Sequence, residues 1–170
     1  MKITLVLHNI RSTYNVGAIL RTAEGLGVAK VIYSGYTPRY DDQKLLPHLR
    51  TKLNNQIAKA ALGAETMVSQ MAVDNIEAWL AEQHEVIVGL ENNLSPTEEQ
   101  RKIILGAQPC PSAPSTNLIL LLGEEVHGIP EGLRVLCDYF LEIPMVGCKE
   151  SFNVSIATAI AIWGLQHPSA

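Results

Sequence analysis

The chain has 170 residues, of which 47% are hydrophobic and 18% are charged. This length suits one domain, and the hydrophobic fraction allows a sizeable core. A formal net charge of −4 argues against a protein that coats nucleic acid through a generally basic surface. No stretch approaches the roughly 20 apolar residues of a membrane span, so we expect no contact with a membrane.

The cysteines and histidines carry no metal-binding pattern. Cys110, Cys137 and Cys148 are odd in number and lack the spacing of metal ligands, which indicates free thiols in a reducing compartment. The five histidines do not cluster at ligand spacing either. The apolar run at the N-terminus is too short for a signal peptide. We therefore expect a soluble, cytoplasmic protein without a metal site.

The first part of the chain predicts a strand, a helix and a second strand. A short apolar run at 3–7 is partly β-branched and indicates a buried strand. Apolar residues then recur at helical spacing over 16–26, with Asn15 as the predicted N-cap and Gly27 at the predicted end. A second strand is predicted at 31–33. This order is typical of a parallel sheet with a crossover helix.

The next segment is the most basic part of an acidic chain. Residues 34–49 predict a loop because they contain glycine, aspartates and two prolines, and a helix is predicted over 51–61. Arg39, Lys59 and four other basic or histidine side chains lie in this segment. They form either a solvated helix face or a local basic patch.

The pattern is weaker between residues 62 and 117. The run CPSAPS at 110–115 indicates a loop or linker, but no domain boundary, because a strand pattern resumes after it. The elements predicted here are a strand at 66–68, a helix at 75–83 capped by Asp74, a strand at 85–90, and a short helix from 95 to 104.

The last third of the chain begins with its most apolar strand. Residues 118–122 are all leucine or isoleucine, which predicts a central strand covered on both faces. Pro130 predicts the start of a short helix through Leu136. A final strand is predicted at 139–143.

The C-terminal helix is the most apolar element of the pattern. Over 154–165 nearly every side chain is small or apolar, which predicts a helix buried on all sides. Ser151 is its predicted N-cap. Ser151 and Asn153 at its beginning are either a simple polar cap or one wall of a ligand site.

Polar residues follow three of the predicted strands. In open α/β sheets, ligands bind at the carboxyl ends of the strands. The chain contains no dinucleotide or phosphate glycine motif and no nucleophile elbow. The residues alone therefore predict an α/β domain with a polar site at the strand ends. The candidates are Asn15, Arg21, Glu125, Ser151 and Asn153.

Each candidate also has a purely structural explanation. Asn15 could only cap its helix, and Arg21 could only pair with a surface acid. Glu125 could only complement the dipole of the short helix that follows it.

Three segments together resemble the motifs of the SpoU (TrmH-like) class of the SPOUT RNA methyltransferases. They are NVGAILRTA at 15–23, LLLGEEVHGI at 120–129, and IPMVGCKESFNVSIA at 143–157. Each motif alone is a weak signal, but all three occur in the family's order, and the resemblance covers nearly the whole chain. Phe152 stands where the family more often has leucine.

This resemblance implies a fold and an activity. The fold is an α/β parallel sheet with flanking helices, whose C-terminal segment forms a deep trefoil knot. Residues 1–170 would form a single methyltransferase domain without a separate RNA-binding domain. The resemblance further implies a homodimer that uses S-adenosyl-methionine, and no metal, to methylate a ribose 2′-hydroxyl of tRNA or rRNA.

The resemblance also assigns roles to individual residues. The implied catalytic set is Arg21, Asn15, Glu125, Ser151 and Asn153. The implied donor-binding set is Leu90, Gly123, Ile143, Met145, Ser151 and Asn153.

Arg21 holds the position that the family uses as its catalytic base. A guanidinium stays protonated in proteins, so we expect Arg21 instead to hold an RNA phosphate and to stabilise the developing 2′-alkoxide. The basic segment 39–59 of one subunit is the predicted RNA-binding surface.

Three alternatives remain open at this point. The first is a catalytically silent RNA-binding protein with the same fold, which the intact candidate set disfavours. The second is methylation of a base instead of a ribose. The third is methylation of a small molecule.

Overall fold

The computed structural model describes residues 1–107 and 117–168 of the chain. Its seven strands are β1 Ile3–His8, β2 Lys30–Ser34, β3 Gln70–Val73, β4 Val86–Leu90, β5 Lys102–Ile104, β6 Leu118–Leu122 and β7 Tyr139–Glu142. Its five α-helices are α1 Thr13–Gly25, α2 Pro47–Ala61, α3 Ile76–Ala81, α4 Glu131–Arg134 and α5 Val154–Gln166.

The strands form one parallel sheet in the order β3-β2-β1-β6-β4-β7-β5. The predicted α/β class with a parallel sheet and flanking helices is therefore confirmed. The knot is not tested by this strand order and stays a prediction. The predicted linker at 110–115, with Cys110, lies outside the described residues.

β6 lies at the centre of the sheet, as predicted. β1 pairs with it on one side and β4 on the other, and all five of its residues are buried. One face of the sheet packs on a cluster that includes Val16 and Ile57, and the other on a cluster that includes Leu80 and Leu133. Helices α1, α2 and α5 thus cover one face, while α3 and α4 cover the other.

The start of α1 differs from the prediction. The helix begins at Thr13, and its N-cap is Ser12, whose side chain accepts a hydrogen bond from the Asn15 amide. Asn15 therefore lies inside the first turn and its side chain is free for another partner. Gly27 follows the helix end with φ +65°, in the left-handed region that glycine adopts easily.

The prediction for α2 started the helix four residues too late. The sequence predicts Pro47 in the preceding loop, but Pro47 occupies the first turn of the helix, where its fixed φ suits the helix and its missing N–H costs nothing. α2 packs against α1 at Gly17, where an added Cβ would lie 2.4 Å from the Ile57 carbonyl oxygen. Only glycine allows this approach.

Three predictions between residues 62 and 107 are wrong in detail. Residues 66–68 are not a strand, because a 3-10 turn at Ala64–Thr66 follows α2 and the strand begins at Gln70. Asn75, not Asp74, caps α3 by accepting from the Ala78 amide. The predicted helix to Ile104 is a 3-10 turn at Glu99–Arg101 followed by β5, whose pairing with β7 outweighs the local helical signal.

The C-terminal helix is not buried on all sides. Thr158, Ala161, Ile162 and Leu165 are buried, but Ile156 and Trp163 are 52% and 57% exposed. Asn153, not Ser151, is the N-cap, and its side chain accepts from the Ser155 amide. The apolar pattern predicted the helix correctly but could not show which face has a partner within the chain.

The two cysteines that the structure describes are free thiols, as predicted. Cys137 is buried and Cys148 is exposed. Among the helices in the described ranges, none is long and apolar enough to cross a membrane.

Substitutions of two glycines in α1 test the close approach to α2. We expect Gly17→Ala to destabilise the protein by about 1–3 kcal/mol, because the new methyl group would collide with the α2 backbone. Gly25→Ala is the matched control: its methyl group meets nothing within 4 Å, and it should stabilise the helix by about 0.5–1 kcal/mol. Urea unfolding measures both changes. Equal effects of the two substitutions would contradict the packing argument.

Candidate active site

A cavity of about 890 Å³ opens at the carboxyl ends of the central strands. Because all the strands are parallel, the loops after β4, β6 and β7 meet at this edge. The apolar part of the wall consists of Leu90, Leu122 and Ile143, and the first turn of α5 closes one side of the cavity. The site therefore lies where open parallel sheets bind ligands.

Glu125 is the residue on which the loops after β1 and β6 converge. Its Oε1 accepts from the Asn15 Nδ2 atom at 3.0 Å and from the Ser12 amide at 3.2 Å, and its Oε2 accepts from the Arg11 amide at 3.1 Å. Its side chain is 20% exposed. The carboxylate therefore fixes the entry to α1 from a loop more than a hundred residues later in the chain.

The same hydrogen bonds control the ionisation of Glu125. Burial acts to raise the pKa of this carboxyl group, but the bonds from the Arg11 amide, the Asn15 side chain and the Ser12 amide outweigh burial. The pKa of Glu125 therefore lies below its ordinary value, and the group is a carboxylate at neutral pH.

Asn15 joins this carboxylate to the third motif. Its Oδ1 accepts from the Asn153 Nδ2 atom at 3.1 Å, while its own Nδ2 donates to Glu125. The Asn153 Oδ1 in turn accepts from the amide and the hydroxyl of Ser155. A continuous hydrogen-bonded chain from Glu125 through Asn15 to Asn153 thus links all three motifs of the sequence.

A tight turn supports the loop after β6. The Glu124 amide donates to the Gly128 carbonyl at 3.0 Å, and the Gly128 amide donates back at 2.8 Å. At Gly123 an added Cβ would lie 2.2 Å from the Gly128 carbonyl carbon, so this position requires glycine. The Glu124 carboxylate holds Arg11 at 3.0 Å and the His127 ring at 2.6 Å.

Most of the predicted donor-binding residues line the cavity. Leu90, Gly123, Ile143, Ser151 and Asn153 do so, and Glu125 of the implied catalytic set lines it as well. Met145 is half-buried but does not belong to the lining.

Arg21, like Asn15 and Met145, does not belong to the lining of the cavity. It is exposed on α1, about 9 Å further along the helix than Asn15. Within residues 1–107 and 117–168 its guanidinium makes no hydrogen bond or ion pair, so it can meet an external anion.

The basic segment 39–59 is partly neutralised by nearby acids. Among the described residues it forms the ion pairs Arg39–Asp42 at 2.6 Å, Lys44–Asp74 at 2.9 Å and Arg50–Asp41 at 3.7 Å. Lys52 and Lys59 lie exposed on α2. The surface is therefore less positive than the count of basic residues suggested.

Sequence reasoning missed a polar turn directly after β4. Asn92 donates to the Ile143 carbonyl at 3.0 Å and accepts from the Ile143 amide at 3.2 Å. Glu91 accepts from the Asn92 amide and lies 3.4 Å from Arg134. Asparagine and glutamate after a strand are common in loops, so no signal in the sequence singled them out.

Within the described residues, no group of three or more His, Cys, Asp and Glu side chains could hold a metal ion.

Comparison with known proteins identifies relatives over nearly the full chain. The model of the SpoU rRNA Methylase family matches residues 2–163. The 23S rRNA (guanosine-2'-O-)-methyltransferase RlmB of Pectobacterium atrosepticum is 30% identical over 167 residues, which cover 96% of this chain and 59% of the relative. The chain thus spans less than two thirds of the length of this curated relative.

Two solved structures show a similar fold over nearly the whole chain. A protein of the TrmH family from Porphyromonas gingivalis superposes with a TM-score of 0.76 at 27% identity, covering 99% of this chain and 60% of that one. The AdoMet-bound rRNA methyltransferase of Sinorhizobium meliloti gives a TM-score of 0.74 at 20% identity, covering 99% and 57%. The second likeness concerns the fold alone.

The depressed pKa of Glu125 predicts a pH-dependent contribution to stability. The ionised carboxylate stabilises the fold above the unfolded-state pKa of about 4.3, and this contribution is lost as the pH falls through the lower folded-state pKa. The stability difference between wild type and Glu125→Gln should therefore be largest at neutral pH and shrink below about pH 4.

This stability difference is measured by urea unfolding of wild type and Glu125→Gln at a series of pH values from 7 to 3. The matched control is Glu82→Gln at the exposed end of α3, which should stay within about 0.5 kcal/mol of wild type at neutral pH. A Glu125→Gln difference that is constant over the whole pH range would contradict the proposed hydrogen bonding.

Proposed function

This chain belongs to the SpoU rRNA methylase family, and on that premise we propose that it transfers a methyl group from S-adenosyl-methionine to a ribose 2′-hydroxyl of RNA. The observation that carries the proposal is the hydrogen-bonded chain from Glu125 through Asn15 to Asn153. It joins the first motif to the second and third motifs, which line one cavity, so Asn15, Glu125 and Asn153 act as one site rather than as three separate caps.

The cavity suits the methyl donor in shape and in charge. Gly123 lets the backbone of its loop approach closely, and Leu90 and Ile143 offer apolar wall for a flat ring. Glu150 also lines the cavity and favours a cationic ligand, whereas the Glu91 carboxylate is already paired with Arg134. Leu90, Gly123, Ile143, Ser151 and Asn153 are the residues that we expect to hold the donor, with Met145 from the adjoining loop.

When bound, S-adenosyl-methionine supplies an electrophilic methyl group. The chain's own residues then have to bring a ribose hydroxyl to the cavity and stabilise its developing negative charge. Asn15 and Asn153 hold the loops of the cavity in register, and Ser151 offers a hydroxyl at its wall. Arg21 is exposed on α1, where it would hold an RNA phosphate and stabilise the alkoxide.

Ribosomal RNA is the substrate that we propose. The curated relative from Pectobacterium atrosepticum is named for a 2′-O-methylated guanosine of 23S rRNA. A transfer RNA is the other candidate. Lys52 and Lys59 on α2 remain the proposed backbone contacts, although their neighbours are paired with acids.

We also propose that residues 1–170 act as a single methyltransferase domain in the cytoplasm. The described strands belong to one sheet, and the hydrogen bonds of Asn15 join the first motif to the two motifs that line the cavity. The knotted C-terminus is part of the same proposal, because the resemblance to the family implies it.

A second copy of the chain is the proposed partner of α5. Ile156 and Trp163 are seven residues apart and therefore lie on one face of the helix, and both are exposed. The helix contains no charged residue at all, which is unusual for an exposed face. A homodimer that packs these faces together would remove them from water.

The reaction is tested with labelled S-adenosyl-methionine and RNA from a strain that lacks this gene. We expect label in a 2′-O-methyl nucleoside after digestion, and the fractionated RNA identifies the substrate class. Label in a methylated base would contradict the ribose assignment, and label without RNA would indicate a small-molecule substrate. Donor binding without any transfer would favour the catalytically silent RNA-binding protein.

Arg21→Lys tests the role of the guanidinium. We expect turnover to fall by about 100-fold, because lysine cannot reproduce the planar pair of donors. Donor affinity is the internal control and should not change, since Arg21 does not line the cavity. Near-full turnover of this variant would exclude the role.

Sedimentation velocity tests the dimer. We expect the wild type to sediment as a dimer and Trp163→Glu as a monomer, because a carboxylate cannot be buried unpaired at an apolar interface. Val135→Glu is the matched control, since Val135 is 68% exposed beside α4 on the other face of the sheet. A wild type that stays monomeric at micromolar concentrations would rule the dimer out.

A further inference from the structure

Asn92 lies just beyond the last paired residues of β4 and β7, where the register of the two strands continues without a backbone ladder. In this pairing Leu90 lies opposite Leu141, so the position opposite Asn92 is Ile143. The backbone ladder ends with the Glu91 amide, which donates to the Leu141 carbonyl at 3.2 Å. At Ile143 the side-chain amide of Asn92 replaces the backbone and pairs with both the N–H and the C=O.

The same amide group also reaches the far end of the following loop. Asn92 Nδ2 donates to the Glu150 carbonyl at 3.3 Å, in addition to its bond with Ile143. Loop 144–149 connects these two residues, and Val146 within it is fully exposed. In the described parts of the chain, residues 144–149 themselves make no hydrogen bond. Asn92 therefore fastens both ends of a loop that has little other support.

Neighbouring charged groups hold Asn92 in place. The Glu91 Oε1 atom accepts from the amides of Asn92 and Asn93, which fixes the turn. The Glu91 Oε2 atom accepts from the Ile129 amide and lies 3.4 Å from Arg134. Glu91 thus anchors the turn after β4 to Ile129 and Arg134, independently of the contacts that Asn92 makes with the loop.

We propose that Asn92 is a positioning residue that sets the affinity for the methyl donor by holding loop 144–149 in place. Asn92, Ile143 and Glu150 all line the cavity, so a change in the loop changes the shape of its wall. Asn92 is not a catalytic residue in this scheme, because it acts through the backbone of Ile143 and Glu150. The assignment to a methyl donor rests on the proposed function.

Three variants separate hydrogen bonding from volume. Asn92→Ala removes all three bonds, and Asn92→Asp keeps the shape and the acceptor for the Ile143 amide but turns a carboxylate oxygen towards two carbonyl oxygens. We expect both to weaken S-adenosyl-methionine binding in calorimetry by about tenfold or more. The affinity of both Asn92 variants for RNA should stay within about twofold of the wild-type value. Gln100→Ala, an exposed amide truncation elsewhere, should bind the donor like wild type.

A nitroxide label on Cys148 reports on the loop without any donor. Cys148 is exposed within the loop, whereas burial raises the pKa of the Cys137 thiol to about 12 and keeps it unreactive. Every protein that is labelled in this experiment also carries the substitution Cys110→Ser, so that Cys110 cannot take up the label. We expect a more mobile electron paramagnetic resonance spectrum in Asn92→Ala and Asn92→Asp than in the parent.

The outcomes distinguish this proposal from the proposed function. Asn92→Asp with wild-type donor affinity, or an unchanged nitroxide spectrum in both variants, overturns the role of Asn92. A parallel loss of donor and RNA affinity also overturns it, since that result indicates general damage to the fold. If the wild type binds no donor, the proposed function fails, and the nitroxide spectrum alone then supports or overturns the control of the loop.

Discussion

The hydrogen bonds of Asn15 are the interaction on which the arrangement of the site depends. Asn15 is 110 residues from Glu125 and 138 residues from Asn153, and it bonds to both. An amide side chain suits this position because it donates on one side and accepts on the other. If it rotated by half a turn, its oxygen would face the Glu125 carboxylate and its nitrogen would face the Asn153 nitrogen. The bonds on both sides therefore impose one orientation.

Much of the fold could be predicted from the sequence, because its strands are short apolar runs. Residues 118–122 predicted the central strand correctly, since a strand covered on both faces needs apolar residues at every position. The cap positions were wrong because Ser12, Asn15, Ser151 and Asn153 are all good capping residues. The structure shows that Ser12 caps α1, whereas Asn153 both caps α5 and lines the cavity.

The position of the site could be predicted because polar residues follow the strand ends, and the family motifs then assigned roles to them. The segments at 15–23, 120–129 and 143–157 led to Asn15, Glu125 and Asn153, and the structure brings these side chains together. Asn92 was missed because a single asparagine after a strand has no periodicity and its partner is a backbone 51 residues later. The basic segment was overestimated because Asp74 reaches Lys44 from another loop.

The two edges of the sheet limit how this protein can associate. The edge strands β3 and β5 have only four and three residues. Lys102 at the start of β5 forms ion pairs with Glu99 and Glu142, which places charge beside the open backbone. Both edges are short, and β5 also carries charge, so they are poor templates for a further strand. Self-assembly by strand addition, including the growth of fibrils from the native state, is therefore disfavoured, and larger assemblies have to form through helix surfaces.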